Sequence, residues 1–446
     1  MSEGISLMVP VPLIRWVASI CIAIASSSSA LAQAEREPLP EPLTLQAALS
    51  AGLQGHPNMD LAKAQLRGAQ IRLNQVESSY GFDAFVELQP RAASRASNSG
   101  MDFQNDSRYG LVLDKRLSDF GRTKSRISAA QSDIDARTAG LLAQRDQQLI
   151  DVMQHFFAVL LADQNYQMRN EKMALDYFRY ARAEERRVRF QQYSELEVAE
   201  KEVFYRKSYA ARQRAGLERR QRRHELALAL GRPGELSNEL QKPDLSIYLE
   251  RDIPEYTETV DQVLASSPVV EARRRDLAAA EAKVEVARKV NSPVLSFEFE
   301  AREYYDSSFA SRDRYRANLK FIAPIFNGTA RRDTEVALAE NAVFQKKAEL
   351  LAAEFSVREE VLSLLTDLQV GQAEIAAAKA QQTYRAYYQD RSRAMYEMEM
   401  QTDFGDAQAA AAAAMLEMSQ VEFNQALLWA RLDALRAKPT PMLQEN

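Results

Sequence analysis

The residues that most often carry enzyme chemistry are scattered along this chain without the spacing that a reaction needs. Its three histidines, His56, His155 and His224, lie far apart and match no metal-ligand pattern. No G-x-S-x-G, Walker loop or G-x-G-x-x-G occurs in the sequence. The many carboxylates stand at helical spacing beside arginines, which indicates solvated faces and i,i+4 pairs. The sequence therefore predicts no enzyme activity, no cofactor and no metal site.

Charge and targeting patterns narrow the class of protein further. A formal net charge of −5 argues against a nucleic-acid partner, and the basic run at 219–223 suits a solvated helix face. Residues 1–32 have the pattern of an export signal, with an apolar core and an A-x-A cleavage site at its end. The only cysteine, Cys21, lies inside that signal, so we expect a mature chain without thiol chemistry. No later stretch has about 18 consecutive apolar residues, so we expect no membrane-spanning helix.

Two long segments repeat apolar residues every seven positions, which is the pattern of a coiled-coil helix. The first series runs from Val152 to Tyr180 and the second from Val336 to Leu364. We expect each series to lie in a helix of about 70 residues and roughly 105 Å, at about 1.5 Å per residue. These long helices are predicted at 121–192 and 329–398, and shorter return helices at 196–230 and 403–437.

Four short segments alternate apolar and polar residues, as strands with two different faces do. They lie at about 84–92, 109–117, 294–304 and 315–323. In the third segment the apolar residues alternate with Glu298, Glu300 and Arg302. Such a density of charge suits a water-filled lumen better than a packed core, and about ten tilted residues span a bilayer. We therefore expect a lipid-facing set that consists of Leu295, Phe297, Phe299, Leu319 and Phe321.

The same order of elements occurs twice, about 210 positions apart, which indicates an internal duplication of a helix, a hairpin, a long helix and a short helix. The predicted organisation is a signal peptide at 1–32, a first repeat at 33–234, a linker at 235–252, a second repeat at 253–438 and a tail at 439–446. Four strands cannot close a membrane barrel, so other copies of the chain must complete it. Two copies would supply about eight strands and three about twelve, and a conduit favours three because an eight-strand barrel is filled by its own side chains.

Four local signatures, in order along the chain, resemble the TolC-type outer-membrane efflux family over about Leu43 to Leu435. They are Leu43-Thr44-Leu45 followed by His56-Pro57, Pro324-Ile325-Phe326-Asn327-Gly328 at the second strand-to-helix turn, Arg189-Phe190 before Ser194-Glu195-Leu196-Glu197 at a first helical tip, and Asp403-Phe404-Gly405-Asp406-Ala407 at a second tip. The chain departs from the family before each tip turn, where Gln191-Gln192 and Met398-Glu399 replace the usual glycine.

This resemblance implies a mostly α-helical homotrimer with a twelve-strand membrane β-barrel and a long coiled-coil tunnel. It would lie in the bacterial outer membrane, extend into the periplasm, and serve as the passive exit duct of a tripartite efflux or type I secretion system. A periplasmic adaptor protein and an inner-membrane pump would be its partners.

The resemblance also assigns roles to the tips. Asp403 and Asp406 would ring the lumen at a periplasmic constriction, and two solvated carboxylates at a helix start are the alternative. The tip residues that would contact the adaptor, or pack the turn, are Tyr193, Ser194, Glu195, Leu196, Thr402 and Phe404. A different class of protein, a periplasmic coiled-coil adaptor or scaffold without a barrel, stays open as the alternative function, although such a scaffold would not duplicate the whole unit.

Overall fold

The structure, a computed structural model, describes residues 38–97, 100–105, 107–235, 239–304, 313–325, 328–398 and 404–438, with side chains for all of these except 92–105 and 328. The chain divides into two compact units, Met1–Pro40 and Glu41–Asn446. The described part of the first unit, residues 38–40, has no regular secondary structure. The predicted signal peptide at 1–32 and the predicted tail at 439–446 lie outside the described residues.

The described part of the second unit contains nine helices and six strands, and apart from β2, β3 and α5 the same order of elements occurs twice. The helices are α1 (Leu45–Gly55), α2 (Pro57–Ser78), α3 (Arg122–Phe190), α4 (Glu195–Ala229), α5 (Ser246–Leu249), α6 (Tyr256–Ser266), α7 (Pro268–Arg288), α8 (Gly328–Glu397) and α9 (Phe404–Leu435). The strands are β1 (Phe82–Gln89), β2 (Ala92–Ser97), β3 (Gly100–Asn105), β4 (Arg108–Ser118), β5 (Val294–Tyr304) and β6 (Tyr315–Ile322).

One region differs from the sequence expectation. The segment between the first two predicted strands, at about 84–92 and 109–117, contains a further antiparallel hairpin of β2 (Ala92–Ser97) and β3 (Gly100–Asn105), and β1 ends at Gln89 rather than near residue 92. Ala92 pairs with Asn105, and Ser97 pairs with Gly100. Strand β2 has no large apolar residue and β3 has only Met101 and Phe103, so the alternation by which strands are recognised is too short to stand out in the sequence.

The turn from β4 into α3 shows why the long helix begins where it does. Gly121 adopts a left-handed conformation with φ of +86°, which favours glycine. Asp119 accepts hydrogen bonds from the backbone N–H of Thr123 at 2.8 Å and from its hydroxyl group, so one of the free donors of the first turn is satisfied. Arg122 donates to the carbonyl oxygens of Lys289, at 3.2 Å, and Ser292, which joins this turn to the second repeat.

Each long helix packs along shorter ones. Helix α3 contacts α2 and α7 as well as α4 and α9, and α8 contacts α6, α7 and α9. Arg72 of α2 pairs with Asp133 near the start of α3 at 2.8 Å, whereas Arg212 of α4 donates to the Tyr166 hydroxyl further along α3 at 2.8 Å. Helices α2 and α4 therefore pack against successive parts of α3. This arrangement agrees with the heptad repeat, which places an apolar stripe along the long helix. Within the described chain, no helix is both long enough and apolar enough to cross a membrane.

Candidate functional site: the sheet and the hairpin tips

The register of the main sheet sorts its side chains into two chemically different faces. The strand order is β1-β4-β5-β6, and all neighbours are antiparallel. Phe297 lies opposite Leu319, and Leu295 lies opposite Phe321. Because successive strand residues point to opposite faces, one face carries the whole predicted lipid-facing set. That set is Leu295, Phe297, Phe299, Leu319 and Phe321.

The apolar face is the exposed one. Leu319 is 68% exposed and Phe321 is 61% exposed, whereas Glu300 on the opposite face is only 7% exposed. Water-soluble proteins show the reverse arrangement, with apolar side chains inside and carboxylates outside. A contiguous exposed apolar surface indicates contact with another apolar phase or with another protein.

The opposite face is charged, and we call it the shielded face because its central residues Glu300 and Arg302 are mostly covered, whereas Asp83 and Arg316 nearer its edges are exposed. Several of its charges pair with one another. Its acidic members are Asp83, Glu87, Asp114, Glu298 and Glu300, and its basic members are Arg108, Arg116, Arg302, Arg316 and Lys320. Arg302 reaches Glu87 at 3.0 Å and Glu300 at 3.1 Å, while Lys320 donates to Glu298 at 2.5 Å. Gly110 makes room for this crossing, because a Cβ atom there would lie 2.9 Å from the Arg302 side chain.

Asp406, in the first turn of α9 at the second tip, binds to side chains of α3. Its carboxylate accepts hydrogen bonds from both terminal nitrogens of Arg179, at 3.0 and 2.7 Å, and lies 3.5 Å from the Lys172 ammonium group. Gly405 allows this approach, because a Cβ atom there would lie 2.5 Å from the Leu175 side chain. The hydrogen bond from Arg179 is the main cause that lowers the pKa of Asp406, although partial burial opposes the shift. We call this contact of Asp406 with Arg179 and Lys172 the clasp.

The first tip is an exposed turn that is stabilised locally. Ser194 accepts a hydrogen bond from the Glu197 N–H at 3.2 Å, and the Glu197 carboxylate accepts one from the Ser194 N–H at 2.8 Å, a reciprocal capping box. Gln191, at a position where glycine was expected, adopts the left-handed conformation with φ of +52°. Leu196 is 80% exposed, and Tyr193 is half-buried.

The predicted tip residues fall into three groups. Tyr193, Ser194, Glu195 and Leu196 lie together at the first tip, where Glu195 pairs loosely with Arg187 at 3.5 Å. Phe404 stacks on Tyr396 with ring centres 5.9 Å apart, so it packs the second tip. Asp403 and Thr402 lie outside the described residues.

Sequence reasoning missed the clasp. Lys172 and Arg179 are spaced for one helix face, but their shared partner Asp406 lies 227 positions beyond Arg179. Helical spacing signals pairs within a helix and carries no information about such a distant partner. Among the described residues, no group of three or more histidine, cysteine, aspartate or glutamate side chains is arranged to hold a metal ion.

Comparison with solved structures identifies proteins that share this fold. No protein-family model matches the chain, and no curated protein matches its sequence. The CmeC outer membrane channel of Campylobacter jejuni is similar with a TM-score of 0.73 and 16% identity, over 90% of this chain and 87% of that one. The outer membrane protein VceC of Vibrio cholerae gives 0.67 and 15%, over 89% and 96% of the two chains. The open MtrE outer membrane channel of Neisseria gonorrhoeae gives 0.67 and 16%, over 90% and 91%.

At this level of identity the likeness defines the fold alone. The chain is mostly helical and has the fold of the TolC-type outer membrane channels. The resemblance that the sequence motifs indicated is thus confirmed for the fold.

Proposed function

We propose that this protein is a passive exit duct in the bacterial outer membrane. It would belong to a tripartite efflux or type I secretion system and would pass cargo through a homotrimeric barrel and a periplasmic helical tunnel. The observation that carries the proposal is the inverted sheet, whose apolar face is exposed and whose charged face is shielded. Lipid outside and water inside are the surroundings that such a sheet requires.

The edges of the sheet support assembly from several copies. Strands β1 and β6 are the outer strands of the four-stranded sheet, so each has one edge without a neighbour in that sheet. In lipid every unpaired backbone group costs several kcal/mol, so β1 of one copy would pair with β6 of the next. Three copies would supply about twelve strands, enough for an open lumen.

The helices offer a matching pair of edges. An exposed apolar stripe follows α8 at helical spacing through Phe344, Leu351, Phe355 and Leu362, and it continues at Tyr384 and Tyr387. At the other edge of the helical layer, α2 exposes Leu61 and Ile71, and α4 exposes Val203 and Leu217. Two different apolar edges fit a head-to-tail contact, which closes into a ring.

The tips are the proposed contact with other proteins. The exposed turn at Ser194, Glu195 and Leu196, together with the second tip, would receive the periplasmic adaptor, through which the inner-membrane pump is joined. The acidic constriction at Asp403 and Asp406 is part of the same proposal. Because the clasp compensates the charge of Asp406, attraction of cations at that ring requires the clasp to open.

Extraction and conductance of the mature protein test the proposal against the scaffold alternative. We expect the protein to leave the outer-membrane fraction only with detergent, to run as a trimer by mass, and to form water-filled pores in planar bilayers. A scaffold without a barrel would wash off with salt or carbonate and would not conduct. Either of those results would refute the duct.

A pair of variants tests the proposed head-to-tail contact between copies. Phe355→Glu places a charge in the α8 stripe and should abolish the trimer. Ser356→Glu, at the next exposed position and a different helix face, should leave the trimer intact. Equal loss or equal retention of the trimer in both variants would contradict the proposed edge.

A further inference from the structure

Helices α3, α8 and α9 leave a groove between them near the middle of α3. Its volume is about 530 Å³, within the range of sites that hold drug-sized molecules. The groove exists because facing positions carry alanine, among them Ala158 on α3 and Ala377 and Ala378 on α8. Short side chains at a helix contact leave space that leucine would fill.

The walls of the groove are apolar, and their best-defined part is rigid. Phe157, Leu161 and Val421 contribute to the lining. Phe157 stacks on Phe423 with ring centres 4.6 Å apart and planes 5° apart, and both rings are fully buried. This buried pair supports the half-buried lining residues Leu161, Val421 and Leu427, so an apolar ligand would meet a preformed surface and would not have to order one.

Two carboxylates give the groove its charge. Glu374 of α8 and Glu417 of α9 both line it and are exposed, and neither forms a hydrogen bond or an ion pair within the described chain. The described lining residues include no lysine or arginine. A second groove continues from the first along α3, but its charged residues, Glu218 and Arg222, lie 3.9 Å apart and compensate each other. The first groove thus has two carboxylates without a direct cationic partner among the described side chains, and Arg431 beside it donates to the lining residue Gln154 at 3.4 Å.

We propose that the groove binds amphipathic organic cations, with their apolar body against Leu161, Val421 and Leu427 and their positive charge beside Glu374 and Glu417. Apolar walls with a few polar groups are typical of small-molecule sites. The two carboxylates select the sign of the ligand charge, because they attract a cation and repel an anion. This inference rests on the proposed duct function, in which such a groove would be a resting place for cargo on its way out.

The test uses two probes of nearly equal size and shape and of opposite charge, tetraphenylphosphonium and tetraphenylborate. Binding to the full mature protein in a non-ionic detergent is measured by equilibrium dialysis against micelles alone. We expect tetraphenylphosphonium to bind and tetraphenylborate to bind far more weakly. Glu374→Gln with Glu417→Gln should weaken the cation by about 25-fold, since each carboxylate at about 8 Å and an effective dielectric of about 40 contributes roughly fivefold.

Matched variants separate charge from shape. Glu335→Gln with Glu359→Gln removes the same charge from exposed α8 positions outside the groove and should leave binding unchanged. Ala377→Phe fills the groove and should reduce binding of both probes. Equal affinity for the two probes, or no effect of the Glu374 and Glu417 pair, would overturn the inference. So would loss of the trimer in either groove variant, because the groove would then be a contact between copies.

Conductance of the same preparation distinguishes failure of the groove inference from failure of the duct proposal. Pores without charge-selective binding would refute the groove and leave the duct standing. Charge-selective binding without pores would refute the duct, and with it the role of the groove as a resting place for cargo.

Discussion

Replacing Asp406 with asparagine removes the charge of the clasp and leaves the size of the side chain unchanged. Asp406 holds the first turn of α9 against α3 through two hydrogen bonds from Arg179 and a weaker contact with Lys172. In the variant an amide oxygen still reaches Arg179, but both ion pairs are lost. The first turns of α9 should therefore open more often, while the rest of the fold stays as it is.

The expected size of the effect follows from geometry and exposure. Two short hydrogen bonds from a guanidinium group to a carboxylate are stronger than an ordinary surface pair. However, the Asp406 side chain is 51% exposed and that of Arg179 is 33% exposed, so solvent and salt screen the attraction. We expect a loss of about 1 kcal/mol, the upper end of the range for exposed pairs. That value corresponds to roughly fivefold more frequent opening.

Amide hydrogen exchange of α9, followed by mass spectrometry, measures this opening. Residues 404–414 should exchange about fivefold faster in Asp406→Asn, and a cycle with Arg179→Gln should show that the two substitutions are not additive. Asp390→Asn on α8 is the matched control, because Asp390 is exposed and forms no ion pair within the described chain. Unchanged exchange in Asp406→Asn, or full additivity with Arg179→Gln, would refute the clasp.

Three further predictions follow from local geometry. The pKa of Asp406 is lowered, so the clasp contributes its full stability above the unfolded value of about 3.9 and loses it as pH falls through the lower folded value. The exchange difference between wild type and Asp406→Asn should therefore persist from about pH 7 to 5, begin to shrink near pH 4 and vanish only once pH is below the folded value. Gln191→Gly should stabilise the first tip by about 0.5–1 kcal/mol in denaturant unfolding, because the left-handed conformation strains glutamine. Gln192→Gly is the control and should not stabilise the tip, because Gln192 has no positive φ. Leu319→Lys places a charge on the apolar face and should destabilise the barrel by about 2–4 kcal/mol if the residue lies at the membrane midplane. Less trimer should then be recovered from outer membranes, whereas Asn318→Lys, on the charged face, should leave the yield of trimer unchanged.

Periodicity located most of the elements because long elements repeat their signal many times. A heptad that recurs over ten turns places a helix at 121–192, and α3 spans Arg122–Phe190. The alternation around Phe297 and Phe299 likewise fixed which side chains share a face of β5. The fold class followed from the duplication and from the tip motifs together.

The rest depended on contacts between distant residues. Strand β2 has no large apolar residue and β3 has only Met101 and Phe103, so the hairpin left too short an alternating signal in the sequence. The clasp joins Arg179 and Asp406 across more than half of the chain, and only the antiparallel course of two hairpins brings them together. The left-handed Gln191 was visible in the sequence as a departure from glycine, but its conformation was not.

The shielded face of the sheet carries equal numbers of acidic and basic side chains. This balance has a consequence for solutes that leave through the proposed barrel. Opposite charges a few ångströms apart act as small dipoles, whose field decays within a water layer or two. Across three copies the wall would resemble a zwitterionic coating, heavily hydrated and nearly indifferent to the sign of a passing ion. We expect any discrimination by charge to be exerted upstream of this mouth, among the helices, and the mouth itself to conduct anions and cations alike.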